Sequence, residues 1–403
     1  MKKKCFSTII AIGFSFSLLA QIAIKAKIIY PVSGIPIRDG VILVKEGKIE
    51  KVGSAATISI PSGYTIYESA TVTPGLIDAR TVIGMSGVLN ISTDQDQLEK
   101  SSPIQPDLRA IDAYNPDEKL VTVAREYGIT TIHTGHGIGA LISGQTMIAK
   151  TKKGTVDQVT IEPLSMLAMT LGSSVSGNFA SPGTKAKQMA MIRTELIKAQ
   201  AYLKKSNEKD INKRPAPDLK MDALAKLLKG EVKAMITANS SVDIMNAIRL
   251  ADEFKLKLVI DGAAESYRLI DEIKKAKAEI ILHASMTAAE GDKVNMSRET
   301  AAILTKAGVH VSIESGYESY VPKTRIVLFE AAVAMASGLS FDDALKSITI
   351  NPAKLLGIDK RVGSIEAGKD ADLVLYNGDP FEYVTNVCKV FIDGKLVSDK
   401  CNN

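Results

Sequence analysis

Apolar and polar positions divide this chain into three patterns. Residues 21–70 carry short alternating runs, IAIKAKIIYP and then DGVILVKEGKIEKVG, with EGK as a turn between them. A period of two predicts half-buried β-strands. Residues 362–403 repeat the pattern in GSIEAGKDADLVLYNGD and VCKVFIDGKLV, with DGK as a hairpin turn. Neither piece holds enough apolar residue for a core of its own. The two are therefore predicted to join as a composite β-sandwich in which the chain ends meet.

The stretch between them, residues 71–361, alternates strand-like runs with helical periodicity, the mark of a parallel α/β domain. Strands are predicted at 72–79, 129–134, 159–161, 232–237, 256–261, 279–283 and 309–314. Helices are predicted at 186–205, 244–254, 267–277, 298–307 and 341–348. The regular strand–helix units from 232 to 314 suit the second half of a barrel, whereas no run marks a fourth strand. The polar segment 207–218 (NEKDINKRPAPD) reads as a solvated loop.

The first twenty residues stand apart. Lys2 to Lys4 precede an uncharged apolar run from Thr8 to Ala20, too short to span a bilayer comfortably. The pattern predicts a secretory signal over 1–20, hence export to a bacterial periplasm, with no membrane contact after cleavage. Removing those three lysines lowers the formal charge from +5 to +2. So even a balance argues against nucleic acid as a partner and leaves small molecules as the expected ligand class. A homo-oligomer is compatible with this surface. Beyond Cys5, the chain holds only Cys388 and Cys401, which flank the last hairpin and are open to pairing or to remaining free thiols.

Three motifs carry a resemblance: TPGLIDA at 73–79, NPAKLLG at 351–357 and GSIEAGKDADLVL at 363–375. In this order and spacing the chain resembles the amidohydrolase superfamily, more narrowly its imidazolonepropionase-related branch. The resemblance implies a (β/α)8 TIM barrel with a β-sandwich built from both chain ends, and hydrolysis of non-peptide C–N bonds in small cyclic amides or amidines. It further implies one or two divalent metals at the carboxyl ends of the barrel strands, where they lower the pKa of bound water.

The positions that hold metal in that family are altered here. The His-x-His site after the first strand is Arg80-Thr81-Val82, and a guanidinium repels a cation rather than ligating it. Around the fourth strand no Lys occurs and Glu162 is the sole carboxylate. The fifth-strand position falls at Thr237, followed by Asn239; the sixth falls at Gly262 beside Asp261; the eighth offers Glu314, Ser315 and Gly316. These replacements predict a site without a metal cofactor.

Two arrangements stay open. In one, His133, His136 and His283, with Asp261 and Glu314, rebuild a divalent metal site in a rewired form. In the other, Arg80 supplies the positive charge, either pairing with Asp261 or Glu314 or clamping a substrate carboxylate. The candidate catalytic groups are then His283, Glu314 and Asp261. Arg80, Thr81, His133, His136, Gln145, Thr237 and Asn239 are the candidate ligand contacts. Gly144 suggests a tight turn near the mouth, and the segment 317–323 a loop over it. His310 lies early in its strand and reads as structural. No nucleophile elbow, phosphate loop or dinucleotide fingerprint occurs. The chain is thus read as either a C–N hydrolase with a changed site or a non-catalytic small-molecule binding or assembly protein.

Overall fold

The computed structural model describes residues 21–89, 91–283, 288–316 and 327–401. The predicted signal segment 1–20 and the predicted loop 317–323 lie outside these residues. Two sheets organise the chain. The first joins both ends: β1 (Ile22–Ile29), β2 (Ile37–Lys45), β3 (Lys48–Ser54) and β4 (Thr65–Pro74), with β14 (Leu373–Tyr376), β15 (Val387–Ile392) and β16 (Lys395–Asp399). Its order is β16-β15-β14-β4-β1-β2-β3, so β14 beside β4 is the seam where the two ends meet. Both predicted turns form with left-handed residues, Glu46-Gly47 and Asp393-Gly394. They pack tip to tip: Ala371 N donates to Gly47 O at 2.9 Å and Gly394 N to Ala371 O at 3.0 Å. An added methyl on Gly47 would lie 2.9 Å from Asp393 O, which keeps that position glycine. Cys388 and Cys401 are joined as a disulfide across the terminal hairpin.

The second sheet is a nearly closed barrel. Its strands are β5 (Leu76–Thr81), β6 (Ile129–Gly135), β7 (Ile142–Lys150), β9 (Met166–Thr170), β10 (Lys233–Ala238), β11 (Leu258–Gly262), β12 (Glu279–Leu282) and β13 (Val311–Ile313), paired in that order. The third and fourth strands correct the sequence reading. Residues 156–159 form a short helix, and the following β8 (Thr160–Glu162) pairs only with β7, off the barrel path. The third barrel strand is instead β7, antiparallel to both neighbours. Its burial is nearly continuous, because Ser143 and Thr146 point into protein rather than solvent. That hides the alternation by which a strand is recognised.

Helices pack outside the barrel where their caps predict. Thr184 caps Lys185–Ser206, Asp218 caps Leu219–Leu228 and Ser240 caps Ser241–Phe254, each accepting a backbone N–H of the first turn. The last helix ends at Lys255 in the left-handed region. The gap between β13 and β5 is filled by the NPAKLLG segment. Asn351 Nδ2 donates to Val311 O at 2.9 Å on one edge, and Ile77 N donates to Ile348 O at 2.8 Å on the other. The barrel floor docks on the first sheet through Lys150, at the end of β7. Its ammonium lies 2.8 Å from Asp370, 3.0 Å from Asp372, and against Asp393.

Candidate functional site

The carboxyl ends of β5, β10, β11 and β13 converge on one buried charge cluster. Along β5 the sequence LIDART places Asp78 and Arg80 two residues apart, hence on the same face. Arg80 is 1% exposed, and Asp78, Asp261 and Glu314 are fully buried. Asp78 is the member that sequence reasoning missed. It closes the barrel: Ser315 N donates to Asp78 Oδ1 at 3.2 Å, and Ser315 Oγ donates to Oδ2. A lone acid ending an otherwise apolar buried run was the available signal.

Arg80 is anchored by backbone. Its Nη1 donates to Thr81 O at 3.1 Å and its Nη2 to His136 O, leaving Nε without a partner. With its terminal nitrogens engaged by carbonyls and three acids around it, Arg80 is not placed to clamp a substrate carboxylate. Among the described residues its side-chain hydrogen bonds run to these carbonyls, and the acids act on it through charge alone. Thr237, opposite Asp261 in the ladder, donates its hydroxyl to Asp261 Oδ2.

Electrostatics follow from one guanidinium serving three acids. Burial pushes Asp78 up to about 7, with the Ser315 hydrogen bonds and Arg80 pulling the other way. Asp261 is raised by burial against Arg80 and Thr237. Glu314 is raised well above the ordinary carboxylate range, by burial first, then by the like charges of Asp261 and Asp78, and by a hydrogen bond shared with Asp261. These carboxyls hold protons at a pH where exposed ones are ionised.

The histidines divide. His133 is committed: Nδ1 donates to Ala79 O at 2.8 Å and Nε2 faces Thr146 Oγ1 at 2.7 Å. Burial, and then Arg80, lower it to about 3, so the ring is neutral. His136 has neither ring nitrogen partnered and is lowered to about 4 by the same two causes. Its ring lies on Gly144, where an added methyl would sit 2.4 Å from His136 Cδ2 and 2.8 Å from Leu108 O. Gly144→Ala is therefore expected to cost about 1–3 kcal/mol, read as a lowered urea midpoint with unchanged slope. His283 follows β12, half-buried, and borders a small cavity with Leu282, Met296, Ile313 and Ala334. His310 is exposed at the other end of the barrel.

The remaining candidates are placed as follows. Asn239 follows β10 against Gly262, its Oδ1 unpartnered. Gln145 is turned away from the cluster, its Nε2 donating to Pro106 O at 3.2 Å. The Thr81 hydroxyl faces Ile83 N in its own turn at 3.4 Å. Glu162 is exposed at the end of β8, and the true fourth strand ends in Thr170, whose hydroxyl accepts from Gly139 N at 3.1 Å.

This donor set does not fit a divalent ion. A guanidinium stands where the first ligands would be, His133 uses both nitrogens, and Thr237 replaces an imidazole. Among the described residues, no group of three or more His, Cys, Asp or Glu side chains is arranged to hold a metal.

Asp78 also sets a pH dependence. Its folded value near 7 lies above the unfolded value near 4, so its contribution is full below about pH 4 and lost as pH rises to about 7. Relative to Asp78→Asn, the stability of the wild type is expected to fall across that window, on the order of 1 kcal/mol per pH unit. Parallel urea curves at several pH values check this; a constant difference would refute it.

Comparison with known proteins agrees with this architecture. The amidohydrolase family model matches residues 71–397. Amidohydrolase tasK of Hapsidospora irregularis is 24% identical over 393 residues, which is 89% of this chain but only 40% of that protein's length. The imidazolonepropionase of Rhizobium rhizogenes is 24% identical over 90% of this chain and 92% of its own. The crystal structure of an amidohydrolase from Thermotoga maritima MSB8 superposes with a TM-score of 0.88 at 29% identity, covering 94% of this chain and all of that one. With a matched family model over most of its length and barrel and end-to-end sheet in place, the chain belongs to the amidohydrolase family.

Proposed function

We propose that this chain is a metal-free, non-hydrolytic member of its family that binds a small polar molecule at the carboxyl ends of the barrel strands. The observation that carries this reading is the placement of Arg80. Its buried guanidinium occupies the position of the family's first metal ligands, is fixed by the carbonyls of Thr81 and His136, and is surrounded by Asp78, Asp261 and Glu314. A second cation there would meet strong repulsion at low local dielectric. In the family's C–N hydrolysis the metal activates water, and the residues here do not provide that group's ligands. The Cys388–Cys401 bridge supports an oxidising compartment, in keeping with export.

The test is metal analysis of purified protein together with hydrolysis assays on hydantoins, imidazolones and N-acyl amino acids. Metal well below one equivalent and no turnover are expected. Stoichiometric zinc, iron or manganese, or hydrolysis that a chelator abolishes, overturns the proposal.

A further inference from the structure

One segment laces together loops from three barrel strands at the mouth. Residues 288–298 follow β12, and among the described residues their backbone hydrogen bonds stay within the segment, from Glu290 N to Ala288 O through Met296 N to Lys293 O. Side chains hold it to the barrel instead. Asp292 Oδ2 accepts from Ser173 N and from Ser173 Oγ, both at 2.7 Å, just after β9. Asn295 Nδ2 donates to Glu265 Oε1 at 2.8 Å, and Asn295 O accepts from Tyr267 Oη at 2.9 Å, both after β11. Glu265 is itself fixed, buried and accepting from Ser241 N at 2.9 Å. Gly172 lets Asp292 approach, since an added methyl there would lie 2.5 Å from Asp292 Oδ2. Beneath the segment is the small cavity that His283 borders. Gly262, Leu282 and Ile313 line it from the strand ends, and Lys293, Met296 and Ser297 from the segment. Its volume of about 20 Å³ holds roughly one water molecule.

We propose that residues 288–298 are a lid on the barrel mouth, latched shut by Asp292 on Ser173 and by Asn295 on Glu265, and that a ligand reaches the strand ends when these latches release. A space the size of one water admits nothing larger while the lid is down, so entry beside Gly262 requires movement. The segment is suited to move. It adds no hydrogen-bonded ladder to the barrel, Val294 at its centre is 60% exposed, and Gly291 takes a left-handed turn in open space. Segments held by a few solvent-facing hydrogen bonds open locally at far less cost than the whole fold. Two bonds to one carboxylate make Asp292 the stronger latch. The inference goes beyond the binding reading, because lid opening is measured with neither ligand nor metal.

The experiment places a cysteine in the cavity of the full chain, Ala264→Cys, and follows its alkylation by iodoacetamide with peptide mass spectrometry. Ala264 lines the cavity and is 6% exposed. With the latches intact the reaction is expected to run about a hundredfold slower than in the urea-unfolded chain. Adding Asp292→Ala is expected to speed it about tenfold, and Asp292→Asn, which keeps one acceptor oxygen, by less. Amide exchange of β14, in the other sheet, should stay unchanged in each variant, which separates lid opening from unfolding. Should the cysteine variant not fold, amide exchange of Ser173 and of residues 290–298 in Asp292→Ala takes its place, and faster exchange is expected at both. Should Asp292→Ala not fold, Asn295→Ala replaces it with the same expectation. Alkylation with intact latches as fast as in the unfolded chain, an unchanged rate in a folded latch variant, or a rise matched by β14 overturns the proposal. Metal or hydrolysis found in the purified protein would sink the metal-free reading and leave this one standing.

Discussion

Replacing Lys150 with methionine is expected to destabilise the folded chain by about 3–5 kcal/mol, as a buried cation is removed from carboxylates that stay behind. Lys150 is 2% exposed and contacts Asp370, Asp372 and Asp393 at once. Burial alone would lower its pKa, but the three carboxylates outweigh burial and raise it, so the ammonium is charged at any physiological pH. The acids are not equally dependent on it. Asp370 also meets Lys48 and Arg361, and Asp393 meets Lys152. Asp372 has Lys150 as its one cation among the described residues, with the Asp393 N–H at 2.9 Å as its other donor. Adding Asp372→Asn to Lys150→Met is therefore expected to recover at least about 1 kcal/mol, a coupling that urea unfolding of the four-member cycle measures. A single-variant loss under about 1 kcal/mol would mean that Lys150 is not what holds these carboxylates in place.

Lys150 also shows what was legible in the sequence and why the rest was not. The GKDADLVL segment stood out as a motif, and two of its acids prove to be the counterions of Lys150. Their partner lies more than two hundred residues away, a pairing no local pattern encodes. The same holds for NPAKLLG, which seals the gap between the last and first barrel strands through Asn351. The parallel strands from β10 to β13 were readable because buried runs of Val, Ile and Leu alternate with helical segments. The strand β7 was not readable. ISGQTMIAK mixes polar and apolar residues without a period, since its polar side chains serve His133 and the barrel interior rather than solvent. At the site, the residues Arg80, Thr237, Asp261 and Glu314 were legible one by one. The closing role of Asp78, the commitment of both His133 nitrogens and the engagement of Arg80 by carbonyls required the fold.

Replacing Arg80 with methionine is expected to produce a stability loss that grows with pH. Arg80 draws Asp261 and Glu314 downward against burial, and Asp78 too after the Ser315 hydrogen bonds. Without it their folded values climb further above the unfolded carboxylate range near 4. A carboxyl raised in this way stabilises the fold below its unfolded value, and that contribution disappears as pH rises through the folded value. The histidines act in the same sense. Arg80 lowers His133 and His136 after burial does, so its removal eases their penalty on the acid side of pH 6.5. The variant should thus lose about 1 kcal/mol near pH 5 and about 3–5 kcal/mol near pH 8, as buried acids are left ionised without a partner. Urea unfolding at the two pH values measures the difference, and a loss independent of pH would show that Arg80 acts by packing rather than charge. Removing the guanidinium is not expected to create a metal site, because His133 still bonds Ala79 and Thr146 and Thr237 still bonds Asp261. Stoichiometric zinc uptake by Arg80→Met would instead identify the guanidinium as the sole barrier to metal, and would return the barrel to the hydrolytic chemistry of its relatives.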